Sequence, residues 1–237
     1  MFSRAHKTHG LLIALVALAV AVLTIPAAAT PAARLAIQGA ASGSHLQLST
    51  NGSNVIVKGT MATAQPRGCH FAQHHRLAVC PGDADALEIE MGAANDFVVV
   101  HDRLPFPLTV RLGSGEDKFI GNAEKDTCYP EGSRRNRCIG GAGDDTCVTG
   151  SRNSDCVGGP GDDYCRTSTG SDGCWGGLGD DTCLMGSGED GCHGEEGNDR
   201  LYGGAGTDRL YGGAGTDHCD GGPQRGRSAE CESVLRR

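Results

Sequence analysis

Residues 140–220 divide without remainder into nine units of nine residues: GGAGDDTCV, TGSRNSDCV, GGPGDDYCR, TSTGSDGCW, GGLGDDTCL, MGSGEDGCH, GEEGNDRLY, GGAGTDRLY and GGAGTDHCD. A unit this short cannot bury an apolar face alone, so a constant period forces each copy to stack on its neighbours in a solenoid. Every unit splits into a Gly/Asp turn and a three-residue strand. The eighth residue (Cys147, Cys156, Cys165, Leu201, Leu210) is the recurring small or apolar position and is expected to point inward. Upstream the frame continues as LGSGEDKFI (112–120) and GNAEKDTCY (121–129), then PEGSRRNRCI (130–139) with one inserted residue. MGAANDFVV (91–99) is a degenerate earlier copy.

Outside the repeats the pattern changes. LQLS (46–49), NVIVKG (54–59), LEIEMG (87–92), FVVV (97–100) and LTVRLG (108–113) alternate or run apolar between turn residues, the signature of strands. No segment has a useful helical period. The expected fold is therefore all-β, a parallel β-roll or β-solenoid of nonapeptide repeats. An irregular β N-terminal cap over 30–111 shields its open edge, the repeats fill 112–220, and 221–237 forms a C-terminal cap.

Arg4 and Lys7, an apolar run from Leu11 to Ile25, and the small residues Ala27, Ala28 and Ala29 read as an export signal over 1–29, with cleavage after Ala29. The run is short for a membrane span, so none is expected after cleavage. Losing Arg4 and Lys7 takes the formal charge from −8 to −10. With no basic patch in so acidic a chain, a nucleic-acid partner is not expected. Twelve cysteines in an exported chain point to an oxidising, extracellular compartment and to disulfides.

The nonads resemble the RTX, or haemolysin-type, calcium-binding nonapeptide repeat (GGxGxDxUx) over roughly 112–220, in frame. That resemblance implies calcium ions as the cofactor, held by turn carbonyls and carboxylates, the oxygen ligands a hard cation takes. It implies that two nonads make one coil, with turns alternating between two edges and each ion between turns two repeats apart. One edge would carry Asp126, Asp145, Asp163, Asp181, Asp199 and Asp217 at the sixth position. The glycines Gly140, Gly141, Gly143, Gly158, Gly159, Gly161, Gly176, Gly177, Gly179, Gly197, Gly212, Gly213 and Gly215 accompany them, with Asp144, Asp162 and Asp180 at the fifth position. The other edge would carry Asp117, Asp172, Asp190 and Asp208, with Gly203, Gly204 and Gly206, but Arg135 and Ser154 stand where two aspartates are due. One well-occupied ion row and one interrupted around 130–154 are expected. Charge crowded on thin packing predicts folding coupled to calcium, with dissociation constants of about 10⁻⁴–10⁻³ M.

The cysteines Cys128, Cys138, Cys147, Cys156, Cys165, Cys174, Cys183 and Cys192 depart from the large aliphatic residue usual in that family. Neighbouring strands of one sheet lie about 4.8 Å apart, inside the disulfide window. With two repeats per coil this favours Cys128–Cys147, Cys138–Cys156, Cys165–Cys183 and Cys174–Cys192. Pairing between consecutive repeats is the alternative, and it requires unusually close sheets. A thiolate metal site is a further one, although zinc gathers four ligands rather than lining a column. Cys69–Cys80 and Cys219–Cys231 are expected to close short cap loops, each contributing about 2–3 kcal/mol. Cys69, His70, His74, His75 and Cys80 read as such a loop with exposed histidines in preference to a zinc site.

No G-x-S-x-G, H-E-x-x-H or comparable catalytic signature is present. The expected function is a secreted, non-catalytic calcium-binding protein. A calcium-dependent adhesion module for cell-surface or matrix polysaccharide is the second reading, and a polysaccharide-active β-solenoid enzyme the third.

Overall fold

The computed structural model describes residues 34–235 except 41, 52, 63–68, 73–76, 133, 225, 226 and 230. The export signal expected over 1–29, and His74 and His75, lie outside the described residues.

A turn-and-strand unit of nine residues can return the chain to the same sheet only every second unit. The strands accordingly sort into a ten-stranded sheet, from Arg34–Gln38 through Leu108–Gly113, Asp126–Pro130 and Thr146–Val148 to Ser233–Leu235, and a twelve-stranded sheet. The second sheet runs through His45–Thr50, Phe97–Val100, Lys118–Ile120, Arg137–Ile139 and Asp155–Pro160 to Arg227–Ala229. From Thr146 on, partners within a sheet are separated by two repeats: Cys147 faces Cys165, and Cys165 faces Cys183. These pairings are parallel. The fold is an all-β parallel solenoid.

The parallel sheets do not begin at residue 112. Leu108–Gly113 spans that position and pairs with Ala86–Glu90 on one side and Asp126–Pro130 on the other. The irregular part is an antiparallel arm in which Asn54–Lys58 pairs with His45–Thr50, Leu77–Pro81 with Asn54–Lys58, and His70–Ala72 with Leu77–Pro81. Cys69–Cys80 closes this arm, and Cys219–Cys231 ties down the last coil. Among the described residues no helix is long and apolar enough to cross a membrane.

The interior changes character along its length. Leu35, Ile37, Leu87, Ile89, Val98 and Phe119 fill the first coils, eight cysteines follow from Cys128, and Leu201 and Leu210 fill the last. In the middle coils the inward residues of a strand such as Asp155–Pro160 are Cys156 and Gly158. With so little volume between them, the sheets come close. Cα atoms of Cys128 and Cys138 are 6.5 Å apart across the core, as are those of Cys174 and Cys183, against about 10 Å for ordinary stacked sheets.

That closeness overturns the in-sheet disulfides. Cys128 pairs with Cys138 and Cys174 with Cys183, both across the core, not with Cys147 and Cys192. Cys147, Cys156, Cys165 and Cys192 are free and buried, so Cys138–Cys156 and Cys165–Cys183 are absent as well. In a parallel in-register ladder, stacked side chains leave the sheet side by side. Cysteines on opposite sheets aim at one another, as a disulfide requires.

Candidate calcium-binding turns

The sixth residue of each repeat enters its strand with its side chain turned under the turn, so the aspartates are buried. Asp126, Asp145, Asp163, Asp181, Asp199 and Asp217 are at most 6% exposed. Asp126 accepts from Asn122 N–H in its own turn at 3.0 Å, and each of the other five accepts from the backbone of the coil before it. The N–H groups of Asp126, Asp145, Asp163, Asp181 and Asp199 donate to Oδ1 of Asp145, Asp163, Asp181, Asp199 and Asp217 at 2.7–2.9 Å. At the end of this row Asp217 N–H donates to Glu232 Oε2 at 2.6 Å, a partner with no counterpart in the repeat pattern.

The second carboxylate oxygen is the informative one. Oδ2 of Asp145, Asp163, Asp181 and Asp199 is buried with no hydrogen-bond partner, and so is Oδ2 of Asp96, Asp117, Asp172, Asp190 and Asp208 on the other edge. A buried acceptor left unpaired costs about 1–3 kcal/mol, more when charged. The first-position glycines make room for it: a β-carbon at Gly140, Gly158, Gly176 or Gly203 would collide with Oδ2 of Asp145, Asp163, Asp181 or Asp208. Burial, the largest cause, pushes these carboxyls up from 3.8, to about 8 for Asp145 and Asp181 and about 7 for Asp126 and Asp163. Asp117, Asp190 and Asp199 are raised to about 6, and Asp172 and Asp208 are also raised, again by burial first. A file of buried, partnerless, mutually repelling oxygens suits a hard divalent cation.

At the turns, Gly141, Gly159, Gly177 and Gly213 (second position) and Gly143, Gly161, Gly179, Gly197, Gly206 and Gly215 (fourth position) have φ between +110° and +146°. Gly204 has φ +80°. Two residues with side chains occupy such positions, Glu195 (φ +83°) and Arg152 (φ +86°). The fifth-position residues build a second, exposed ladder of opposite polarity. Asp144 Oδ1 accepts from Asp162 N–H, Asp162 Oδ1 from Asp180 N–H, and Asp180 Oδ1 from Asn198 N–H. Asp144, Asp162 and Asp180 thus support the turns from outside, while Gly212 sits in the last repeat beside Gly213.

On the other edge the file reads Asp96, Asp117, Asn136, then Ser154, Asp172, Asp190 and Asp208. Asp96 N–H donates to Asp117 Oδ1, and Asp117 N–H to Asn136 Oδ1, both at 2.8 Å. Asn136, not Arg135, therefore holds the sixth position. The inserted residue displaces the count, and Arg135 turns outward to pair with Asp155 at 2.9 Å. Asn136 presents a buried, unpartnered Nδ2 where its neighbours present oxygen, and Ser154 presents a hydroxyl that donates to the Arg152 carbonyl. Asp96 extends the file upstream of the residues assigned from the repeat frame. Its position two residues before inward Val98 was the available signal.

Residues 157–191 and 193–226 match the family model of the RTX calcium-binding nonapeptide repeat (4 copies). No curated protein and no solved structure matches the chain. The matched segments begin just beyond Ser154, where the second file regains its aspartates.

Proposed function

We infer that this chain is an exported, non-catalytic calcium-binding protein whose solenoid closes when the ions bind; its residues 157–191 and 193–226 match the RTX calcium-binding nonapeptide repeat. The buried row of unpartnered oxygens on Asp145, Asp163, Asp181 and Asp199 carries the reading. Left bare they oppose the fold, and neutralised by a cation they support it, so binding free energy becomes folding free energy. Several ions are expected, each between turns two repeats apart, with more on the continuous edge than on the one interrupted by Asn136 and Ser154. Export and an extracellular location are supported by the leader-like 1–29 segment and the disulfides. A non-catalytic role is supported by the carboxylates being committed to the turn files and by the absence of catalytic motifs from the sequence.

Calcium titration by calorimetry, paired with far-ultraviolet circular dichroism in calcium and in chelator, tests this. The repeat region should be loosened in chelator, with strand signal rising on calcium addition. An unchanged spectrum, or no binding heat at millimolar calcium, would refute the coupling.

A second reading, calcium-dependent adhesion to polysaccharide, is favoured by one observation. Trp175, His193 and Tyr211 stack in file on the outer face of the twelve-stranded sheet, with centroids 6.2 and 4.8 Å apart. A glycan array probed with and without calcium decides between the two.

A further inference from the structure

The eight interior cysteines from Cys128 to Cys192 alternate strictly between the sheets. Cys128, Cys147, Cys165 and Cys183 come from the ten-stranded sheet, and Cys138, Cys156, Cys174 and Cys192 from the twelve-stranded one. In chain order they form one zigzag with two kinds of step. Cys128–Cys138 bridges a step from the first sheet to the second, and Cys174–Cys183 bridges one from the second to the first. Both have Cα atoms 6.5 Å apart. Either kind of step is thus within disulfide reach, and any consecutive pair in the column can be bonded.

Eight sulfurs in a zigzag pair off completely, consecutive with consecutive, in one way only, and that way has the phase of Cys128–Cys138. The Cys174–Cys183 bond is out of phase with it and strands Cys165 on one side and Cys192 on the other. A route to the other phase is already in contact. The sulfurs of Cys174, Cys183 and Cys192 lie within 4.8 Å of one another. Cys147, Cys156 and Cys165 are consecutive buried free thiols in the same column.

We propose that this column is a disulfide-exchange ladder that closes as Cys128–Cys138, Cys147–Cys156, Cys165–Cys174 and Cys183–Cys192. Cys192 attacks Sγ of Cys183 as its proton passes to the departing Cys174 sulfur, forming Cys183–Cys192 and a Cys174 thiol, with no net change in oxidation state. Cys174 then pairs with Cys165, and Cys147 with Cys156. Each of these two oxidations releases two protons and two electrons to an external disulfide, such as oxidised glutathione or an oxidised dithiol enzyme, which leaves as two thiols. The product has a covalent rung in each coil from Cys128 to Cys192, ending where Leu201 and Leu210 take over the interior.

The test is oxidative refolding of the full chain with calcium in a glutathione buffer. Alkylation in denaturant, an intact mass of the monomer, and peptide mapping of the links then follow. No alkylated cysteine, with Cys165–Cys174 and Cys183–Cys192 recovered, is the expected result. Two or four free thiols with Cys174–Cys183 retained, or any full set of other links, overturns the proposal. In the Cys192→Ser variant the attacking thiol is gone, so Cys174–Cys183 should be retained and peptide mapping should find the alkylated cysteine at Cys165; alkylation at Cys183 instead would overturn the exchange step.

Discussion

Asp163 accepts the backbone N–H of Asp145 on Oδ1 at 2.7 Å and leaves its buried Oδ2 unpartnered. One carboxylate thus does two separable jobs, splinting adjacent coils and offering an oxygen to a cation. Asp163→Asn separates them, because the amide oxygen can keep the splint while a donor replaces the free acceptor. Calcium affinity at the adjoining sites should fall at least tenfold, about 1.4 kcal/mol, while the chelated form gains stability. Calorimetry and thermal melts in chelator measure both, and an Asp163→Asn protein with unaltered calcium affinity would exclude the assignment.

The interrupted file makes a gain-of-function prediction. Ser154 stands between Asn136 and Asp172, and its N–H already donates to Asp172 Oδ1 at 2.7 Å. Ser154→Asp restores an oxygen beside Asp172 and should raise the number of calcium ions bound per chain. Asp163→Ala should lose more binding than Asp172→Ala, since Asp163 has aspartates on both sides. Equal losses would remove the difference between the edges.

Proton and calcium binding should oppose each other. In the calcium-free fold Asp145 and Asp181 titrate at about 8 against 3.8 ordinarily, because burial penalises the charged form. A raised native pKa means the folded state binds the extra protons. Its stability is therefore full below about pH 4 and is lost as pH rises toward 8. Melting in chelator should occur at a higher temperature at pH 5 than at pH 8, while calcium affinity should weaken on acidification across the same window. Fluorescence of Trp175, the one tryptophan of the chain, offers the signal. A chelated protein that melts higher at pH 8 would contradict the burial argument.

Glu195 holds φ +83° where equivalent repeats have glycine. Left-handed backbone costs a residue with a side chain roughly 1–2 kcal/mol, so Glu195→Gly should stabilise the calcium-bound protein by about 1 kcal/mol in denaturant unfolding. Gly213→Ala should do the opposite, because a β-carbon there would strike the Glu195 carbonyl.

The stacked solenoid was legible from the nine-residue period, since a repeat fixes its own neighbours, while the two-repeat coil and its alternating edges came with the resemblance to the RTX repeat, and the burial of the sixth-position aspartates was not foreseen. Three further features were not legible. Counting forward from Pro130 puts Arg135 in the sixth position, whereas counting back from Cys138 finds Asn136, because the inward residue and not the turn sets the phase. The cross-core disulfides depended on how far apart the sheets stand. That distance follows from the paired inward volumes of residues such as Cys156 and Gly158, which no single repeat displays. The Glu232 partner of Asp217 lies beyond the periodic segment and left no pattern to read.

The offset of two repeats between bonded strands also sets the grain in which such a chain can change length. Removing or duplicating eighteen residues, Gly158–Trp175 for example, deletes or adds one whole coil, shifts everything beyond it by one strand spacing of about 4.8 Å, and leaves each downstream residue on its own sheet. A nine-residue change exchanges the two sheets for all that follows, splicing the continuous carboxylate file onto the broken one. A single extra residue, as in 130–139, is absorbed within one turn. The protein is in this sense a ruler graduated in coils, and its dimensions can be edited in steps of eighteen residues without redesigning the cross-section.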